Sequence, residues 1–531
     1  MFQNRTSGWI LVLIIFLAIF TYLWGIERNL PYTREVDEDQ YVERAVKMAA
    51  TGDLNPGWFG NPGSTVIYPL AFMYRFSNAI ITQSSPFRND PDLLKRFEVS
   101  FWQFYLMGRL LTVTYSVLSI PLIYLIGKRF SNSWVGLGGA FLFVLYVPVV
   151  YYTKMVRTDS SALFFGLLSL WLCLKVLERP NALNQFLAGS SIGLSIASRY
   201  FMVTLIPVFL TIDILIVWRQ RSKALKEIPW IPITIGLFSV LLAFAISTPY
   251  FFLEFPVALE NIGDEARTTH LGADGLTKIG NLLWYFSYAI PTSITWPQAL
   301  LAAIGSFIIL ARRKTDQLLL LAFVLVFLVG ISLTPLHWRR WVIQILPIIS
   351  LIVAYALYII AQSLKRYFKL TSDAQAKLFV FCILLLAVWP GRQVVLLDLQ
   401  DSLPSTRVVA RNWIINNLPP ESRIAQEWYT APLDDTVFKT YIQFSLASDR
   451  NLKDYYLEGF EYLMVSSDIY DRYLEEPERY ADEVNFYNTL FTESTFVKIF
   501  EPSNFMGGPT IRIYKISDEK QVEEGGEHTQ D

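Results

Sequence analysis

The chain has 531 residues, 53% of them hydrophobic and 15% aromatic, with only 17% charged and a formal net charge of −1. A soluble protein of this size carries roughly a quarter charged residues, so an ordinary soluble enzyme is excluded. The balanced charge also leaves no basic field for nucleic acid. Cys173 and Cys382 both lie in apolar runs without CxxC or Cys/His spacing, so neither a disulfide nor structural zinc is expected.

A membrane-crossing helix needs about 20 mostly apolar residues, and about eleven such stretches are predicted. They run near 9–26, 104–126, 134–152, 160–177, 184–198, 201–217, 230–250, 281–310, 317–335, 341–361 and 377–396. The first, from Trp9 to Trp24, lacks a small-residue cleavage site and reads as a retained helix. The fifth is short, and Pro291 and Pro297 interrupt the eighth. Basic residues cluster on alternate connections, at Lys128-Arg129, Lys175 with Arg179, Arg219-Arg221-Lys223-Lys226, Arg312-Arg313-Lys314 and Lys365-Arg366-Lys369. The positive-inside rule makes those connections cytoplasmic, with the N-terminus inside and the C-terminus outside.

The other face then carries a loop at 27–103, the turn Thr153 to Asp159, the segment Phe251 to Asn281 and the turn His337 to Trp341. Within the loop, Asp37 to Ala50 and Thr65 to Ile81 read as interfacial helices. Beyond the membrane part (1–400), residues 401–517 predict a small α/β domain. In it a helix from Ser405 to Asn417 accompanies strands at 423–425, 462–465, 496–500 and 510–515. The acidic end, 518–531, reads as disordered. The fold class is therefore mainly α: a polytopic helical membrane protein with a small extracytoplasmic α/β domain.

Candidate chemistry gathers on that outer face. Glu35-Val36-Asp37-Glu38-Asp39 places four carboxylates in five positions, and Asp37 with Glu38 suits proton abstraction from a hydroxyl. Acidic residues opening a helix beside its dipole read equally as structural. Arg157 and Asp159 flank a helix start, where a cap and a snorkelling arginine are the bland explanation. Arg199, Arg339 and Arg340 offer guanidinium forks that match phosphate oxygens, or simple headgroup contacts. His270 lies in an outer loop where it can meet a substrate, although a lone histidine is more often structural.

These residues, in this order, resemble the polytopic glycosyltransferases of the GT-C fold, the family 39-like group that includes protein O-mannosyltransferases and the lipid A aminoarabinose transferase. The matching features are Asp37-Glu38 after the first membrane helix, Thr51-Gly52-Asp53-Leu54-Asn55-Pro56, Tyr68-Pro69 and Arg157-Thr158-Asp159. Arg199-Tyr200, Thr248-Pro249-Tyr250, His270-Leu271-Gly272, Arg340-Trp341 and the soluble tail continue the pattern. The resemblance implies inverting sugar transfer from a polyprenyl-phosphate carrier to a protein, lipid or polysaccharide acceptor on the outer side. It implies Asp37 as general base or acceptor-orienting acid, with Glu38 beside it, and Asp159 as second acid of the cavity. Arg340, Arg339, Arg199 and Arg157 would hold the donor phosphate, and Tyr41, Tyr68 and His270 would contact substrate. Trp341 stands where tyrosine is more usual, and Arg199 where lysine is common. No cofactor is implied beyond the lipid-linked donor; first-loop carboxylates leave room for a divalent cation, but no metal site is expected. Two rivals remain, a transporter or flippase of a lipid-linked substrate and a non-catalytic membrane assembly protein. Neither broken charged helices at the midplane nor repeat symmetry favours the first.

Overall fold

A computed structural model describes residues 2–86, 89–220 and 228–516. The expectations for Arg221, Lys223, Lys226 and the tail 518–531 fall outside the described residues. The chain forms two compact units, one of Met1–Ile26 with Arg34–Val395 and one of Glu27–Thr33 with Leu396–Asp531.

The regular elements described in the first unit are helices. Among the described residues, eight helices are long and apolar enough to cross a membrane: Thr6–Leu23, Asp92–Phe130, Asp159–Glu178, Tyr200–Arg219, Trp230–Ser247, Thr315–Ser332, Leu346–Phe368 and one beginning at Ser372. Two bent pairs raise the number to ten, Ser133–Val144 with Val147–Thr153 at 63° and Lys278–Ile294 with Trp296–Arg312 at 120°. Both bends have local causes. Pro148 and Pro297 occupy the first turns of the second helices, where a missing N–H costs nothing, and Thr295 takes a left-handed φ of 88°. The fifth predicted stretch is the helix Ala182–Ser198, 17 residues long. Leu13, Phe16, Leu241 and Phe307 point outward, as lipid contact favours. Inside, backbones touch: a Cβ on Gly189 would lie 2.1 Å from the Gly236 carbonyl, the close approach that small residues permit between membrane helices.

The first loop holds two helices, Asp39–Thr51 and Ser64–Thr82. The former starts two residues later than its apolar pattern predicts. Asp37 adopts a left-handed φ of 68° and Glu38 occupies the cap position, so the two carboxylates are not helical neighbours. Left-handed backbone in a non-glycine residue costs of order 1 kcal/mol, so surrounding contacts must hold it there.

The second unit contains a five-stranded sheet, β1 (Arg423–Glu427), β2 (Lys439–Gln443), β3 (Tyr462–Ser466), β4 (Thr495–Phe500) and β5 (Ile511–Lys515). Its order is β2-β1-β3-β5-β4, with β1 parallel to both neighbours and β5 antiparallel to β3 and β4. The helix Thr406–Asn417 lays Ala410 and Ile414 on Ile424, Met464 and Ile513. Sequence reading missed β2, an edge strand with no fully buried residue and so no alternating apolar signal.

Candidate active site

Four breaks in the helical pattern carry the charged residues. Asp37 precedes the Asp39–Thr51 helix, Arg157 lies in the turn before Asp159–Glu178, Arg199 is extended between Ala182–Ser198 and a 3-10 turn, and Arg340 lies in the 3-10 turn Arg339–Gln344. Breaks free both backbone groups and side chains from helix geometry, so such segments can turn several side chains toward one point.

They converge on two carboxylates. Arg157 pairs with Asp37 through a short contact and with Asp159 at 3.3 Å. Arg199 makes a short pair with the other Asp159 oxygen, and Arg340 Nη1 stands 3.9 Å from Asp37. Asp159 is therefore more than a helix opener: the preceding Thr158 makes no side-chain cap, and the Asp159 carboxylate is shared by two arginines. Gln344 Nε2 donates to the Asp159 carbonyl at 3.1 Å, which ties the two turns together.

Three guanidinium groups thus surround two carboxylates, leaving one positive charge in excess among these five residues. Asp159, Arg157 and Arg199 are buried, at 2%, 5% and 7% exposure. Burial raises the Asp37 carboxyl, but Arg157 and Arg340 outweigh it and hold the group below the ordinary carboxylate range. Burial and the like charge of Arg157 push Arg340 down to about 10. Its Nε is buried with no partner among the described residues, and its guanidinium lies 4.8 Å over the Trp338 ring. An underpaired, partly buried cation costs free energy until an anion arrives.

Glu38 faces elsewhere. It is wholly buried and takes both Nε and Nη2 of Arg109, at 2.9 and 2.8 Å, together with the Val156 and Glu35 amides at 2.9 and 2.8 Å. Arg109 Nη1 also donates to the Ile26 carbonyl at 2.8 Å. The pair locks the first loop to the turn bearing Arg157. A Cβ at the neighbouring Gly108 would come 2.6 Å from a Val156 methyl, so this closeness requires glycine. Sequence reading passed over Arg109; its signal is an arginine inside an apolar run, which must find a partner.

The remaining sequence candidates are dispersed. Tyr41 is buried within electrostatic reach of Asp37, Arg157, Asp159 and Arg199. His270 sets its ring edge-on to Trp338 at 4.8 Å, one aromatic ring away from Arg340. Tyr68 donates to the Leu54 carbonyl at 3.0 Å, outside the cluster. Arg339 is exposed and makes no ion pair among the described residues. No group of three His, Cys, Asp or Glu side chains converges among the described residues. Asp37 and Asp159 face guanidinium groups, a setting that does not suit a divalent cation.

A family model described as dolichyl-phosphate-mannose-protein mannosyltransferase matches residues 95–245, less than a third of the chain. No curated protein matches it in sequence. Among solved structures, it is similar to the archaeal oligosaccharyltransferase AglB from Archaeoglobus fulgidus, in complex with an inhibitory peptide and a dolichol-phosphate. That likeness has a TM-score of 0.53 at 11% identity, over 96% of this chain and 74% of the other. ArnT from Cupriavidus metallidurans matches with a TM-score of 0.51 at 14% identity, over 96% of this chain and 98% of the other. The match is the same for its apo state and its complex with undecaprenyl phosphate. The chain is a multi-pass helical membrane protein with the GT-C fold.

Proposed function

We propose that the protein transfers a sugar from a polyprenyl-phosphate donor to an acceptor on the outer face of the membrane, inverting the anomeric centre. The observation that carries the reading is the excess of guanidinium over carboxylate, with the Arg340 Nε left without a partner. In this reading the N-terminus is cytoplasmic, and the α/β unit is extracytoplasmic. The two solved relatives reported in complex with lipid phosphates support the donor class.

A lipid-linked sugar phosphate keeps its tail in the bilayer and its phosphate at the headgroup level. Arg340, with Arg157 and Arg199 behind it, meets the phosphate and stabilises the charge that grows as the sugar–phosphate bond breaks. The acceptor oxygen attacks the anomeric carbon from the opposite side, its proton passes to Asp37, and the bonding electron pair leaves with polyprenyl phosphate. In the free protein Asp37 is held too acidic to be a good base. The incoming phosphate neutralises part of the arginine field, so donor binding raises the basicity of Asp37 and prepares the site for the acceptor. Glu38 acts at one remove, through Arg109, by fixing the loop.

The test is transfer of label from a panel of radiolabelled polyprenyl-phosphate sugars in membranes containing the protein. Label passing to an acceptor, and absent with Asp37→Asn at matched protein level, supports the reading. Tight donor binding without transfer from any sugar would favour a carrier of lipid-linked substrate.

A further inference from the structure

Behind the charged cluster of the membrane unit lies a chain of buried hydroxyls. Thr65, in the first turn of the helix Ser64–Thr82, stands between Ser161, two residues after Asp159, and Ser198, the residue before Arg199. Thr65 Oγ1 donates to Ser161 Oγ at 3.0 Å and lies 2.7 Å from Ser198 Oγ. All three residues are buried. Ser161 Oγ donates in turn to the Thr158 carbonyl at 3.1 Å. A hydroxyl has one proton to give and two lone pairs with which to accept. With the Thr65 proton on Ser161 and the Ser161 proton on Thr158, the contact with Ser198 bonds when Ser198 is the donor, its proton shared with the Leu194 carbonyl at 2.9 Å. The chain therefore runs from Ser198 through Thr65 and Ser161 to Thr158, from the Arg199 segment to the turn carrying Arg157.

Thr65 is itself held firmly. Its helix starts after Gly63, left-handed at φ 58°, where a Cβ would come 2.7 Å from the Tyr41 ring. Tyr115 Oη donates to the Thr65 carbonyl at 2.8 Å. The other serine after Asp159 faces a different helix, since consecutive helical residues point about 100° apart. Ser116 Oγ donates to Ser160 Oγ at 2.9 Å and lies 2.8 Å from Thr153 Oγ1, so both ends of the turn are fastened to the helix Asp92–Phe130. Thr65 adds the link from that turn to the Arg199 segment. Arg157 and Arg199 repel one another across the Asp159 carboxylate they share, and a neutral crosslink behind them resists that repulsion without adding charge.

We infer that Thr65 is a positioning residue: its hydroxyl fastens the Arg157–Asp159 turn to the Arg199 segment and so sets the spacing of the two guanidinium groups that share Asp159. A displacement on the order of 1 Å in such a cluster lowers rate by up to about a hundredfold, so one hydroxyl has enough leverage to matter. Valine has nearly the shape of threonine, and in its place no donor is stranded, because Ser198 keeps the Leu194 carbonyl and Ser161 keeps the Thr158 carbonyl. The crosslink alone is removed.

The experiment compares Thr65→Val and Thr65→Ser with wild type, as full chains in detergent or membranes, by backbone hydrogen exchange. Thr65→Val should exchange faster by about fivefold or more at residues 155–159 and 199–203, with the helix Leu346–Phe368 unchanged, and Thr65→Ser should restore the wild-type rates. Unchanged exchange at the two turns, or faster exchange confined to the helix Ser64–Thr82, overturns the proposal. Failure of Thr65→Ser to restore the rates overturns it too, by assigning the effect to the methyl group. Should Thr65→Val not fold, Ser198→Ala breaks the same chain from its other end, and the same pattern of exchange decides the matter. A binding arm rests on the transfer reading above: affinity for a polyprenyl phosphate falls about fivefold or more in Thr65→Val and returns in Thr65→Ser. Undiminished affinity alongside faster exchange would refute the role in the site. If the wild type binds no polyprenyl phosphate, the transfer reading fails and the exchange arm still decides whether Thr65 joins the two turns.

Discussion

Two acid centres, one taken from each unit, are built on opposite plans. In the membrane unit, Asp37 and Asp159 lie among three arginines, and the surplus charge and the Arg340 Nε call for an anion from outside. In the C-terminal unit, Glu427 at the end of β1 is 1% exposed and has no cationic partner among the described residues; it accepts from Tyr487 Oη at 2.5 Å, the Ser466 amide at 2.9 Å and the Leu446 amide at 3.2 Å. Burial outweighs those donors and pushes its carboxyl up to about 7. Glu427 joins β1, β3, the 444–449 loop and the helix Ala481–Glu493, and its hydrogen bonds are met from within the unit. A buried charge satisfied from within serves the fold, whereas one left with excess charge is suited to a ligand.

Breaking the first centre should have the largest effect. Asp37→Asn keeps the shape and removes the proton acceptor, so sugar transfer should fall by about 100- to 10,000-fold with the protein still folded. Its neighbour is predicted to behave differently. Glu38→Gln leaves Arg109 buried without its counter-charge, at a cost of about 3–5 kcal/mol, so the yield of folded protein and its melting temperature should drop before any kinetics are read. If Glu38→Gln were stable and merely slow, the division between the two residues would be wrong.

The second centre predicts a pH effect on stability. The folded carboxyl of Glu427 titrates near 7 against an ordinary value of 4.5, so the native state holds the proton more tightly than the unfolded chain. Its contribution is complete below the unfolded value and is lost as pH rises through the folded one, by roughly 3 kcal/mol. Proteolytic susceptibility of residues 423–515 in the full chain should rise between pH 5 and pH 8, and Glu427→Gln should flatten that trend. The smallest effect is expected at Arg339, which is exposed: Arg339→Ala should change transfer by less than about twofold.

Much of this was legible in the sequence, for identifiable reasons. Apolar length reveals spanning helices, and the positions of Asp37, Arg157, Asp159, Arg199 and Arg340 beside such spans mark them as charges that can meet at one face. Legibility failed where the meaning of a residue depends on a distant partner. Asp37 and Glu38 are adjacent and chemically alike, but Arg109, 71 residues along the chain from Glu38, separates their fates. The left-handed backbone of Asp37 carries no glycine to announce it, and the segment Glu27–Thr33 looks like loop because Arg28 and Asn29 find their partners, Asp401 and Ser405, more than 370 residues away. β2 was missed because an edge strand lacks the two-sided burial that makes a core strand apolar.

The central claim is that Arg340 receives the donor phosphate while Asp37 receives the acceptor proton, and one paired measurement separates those roles. Binding of a polyprenyl-phosphate sugar and its single-turnover transfer would be measured on wild type, Asp37→Asn and Arg340→Ala. The account predicts that Asp37→Asn binds donor about as wild type does and transfers almost none, while Arg340→Ala loses donor affinity by about tenfold or more. Undiminished binding and transfer in Arg340→Ala, or transfer intact in Asp37→Asn, would contradict it.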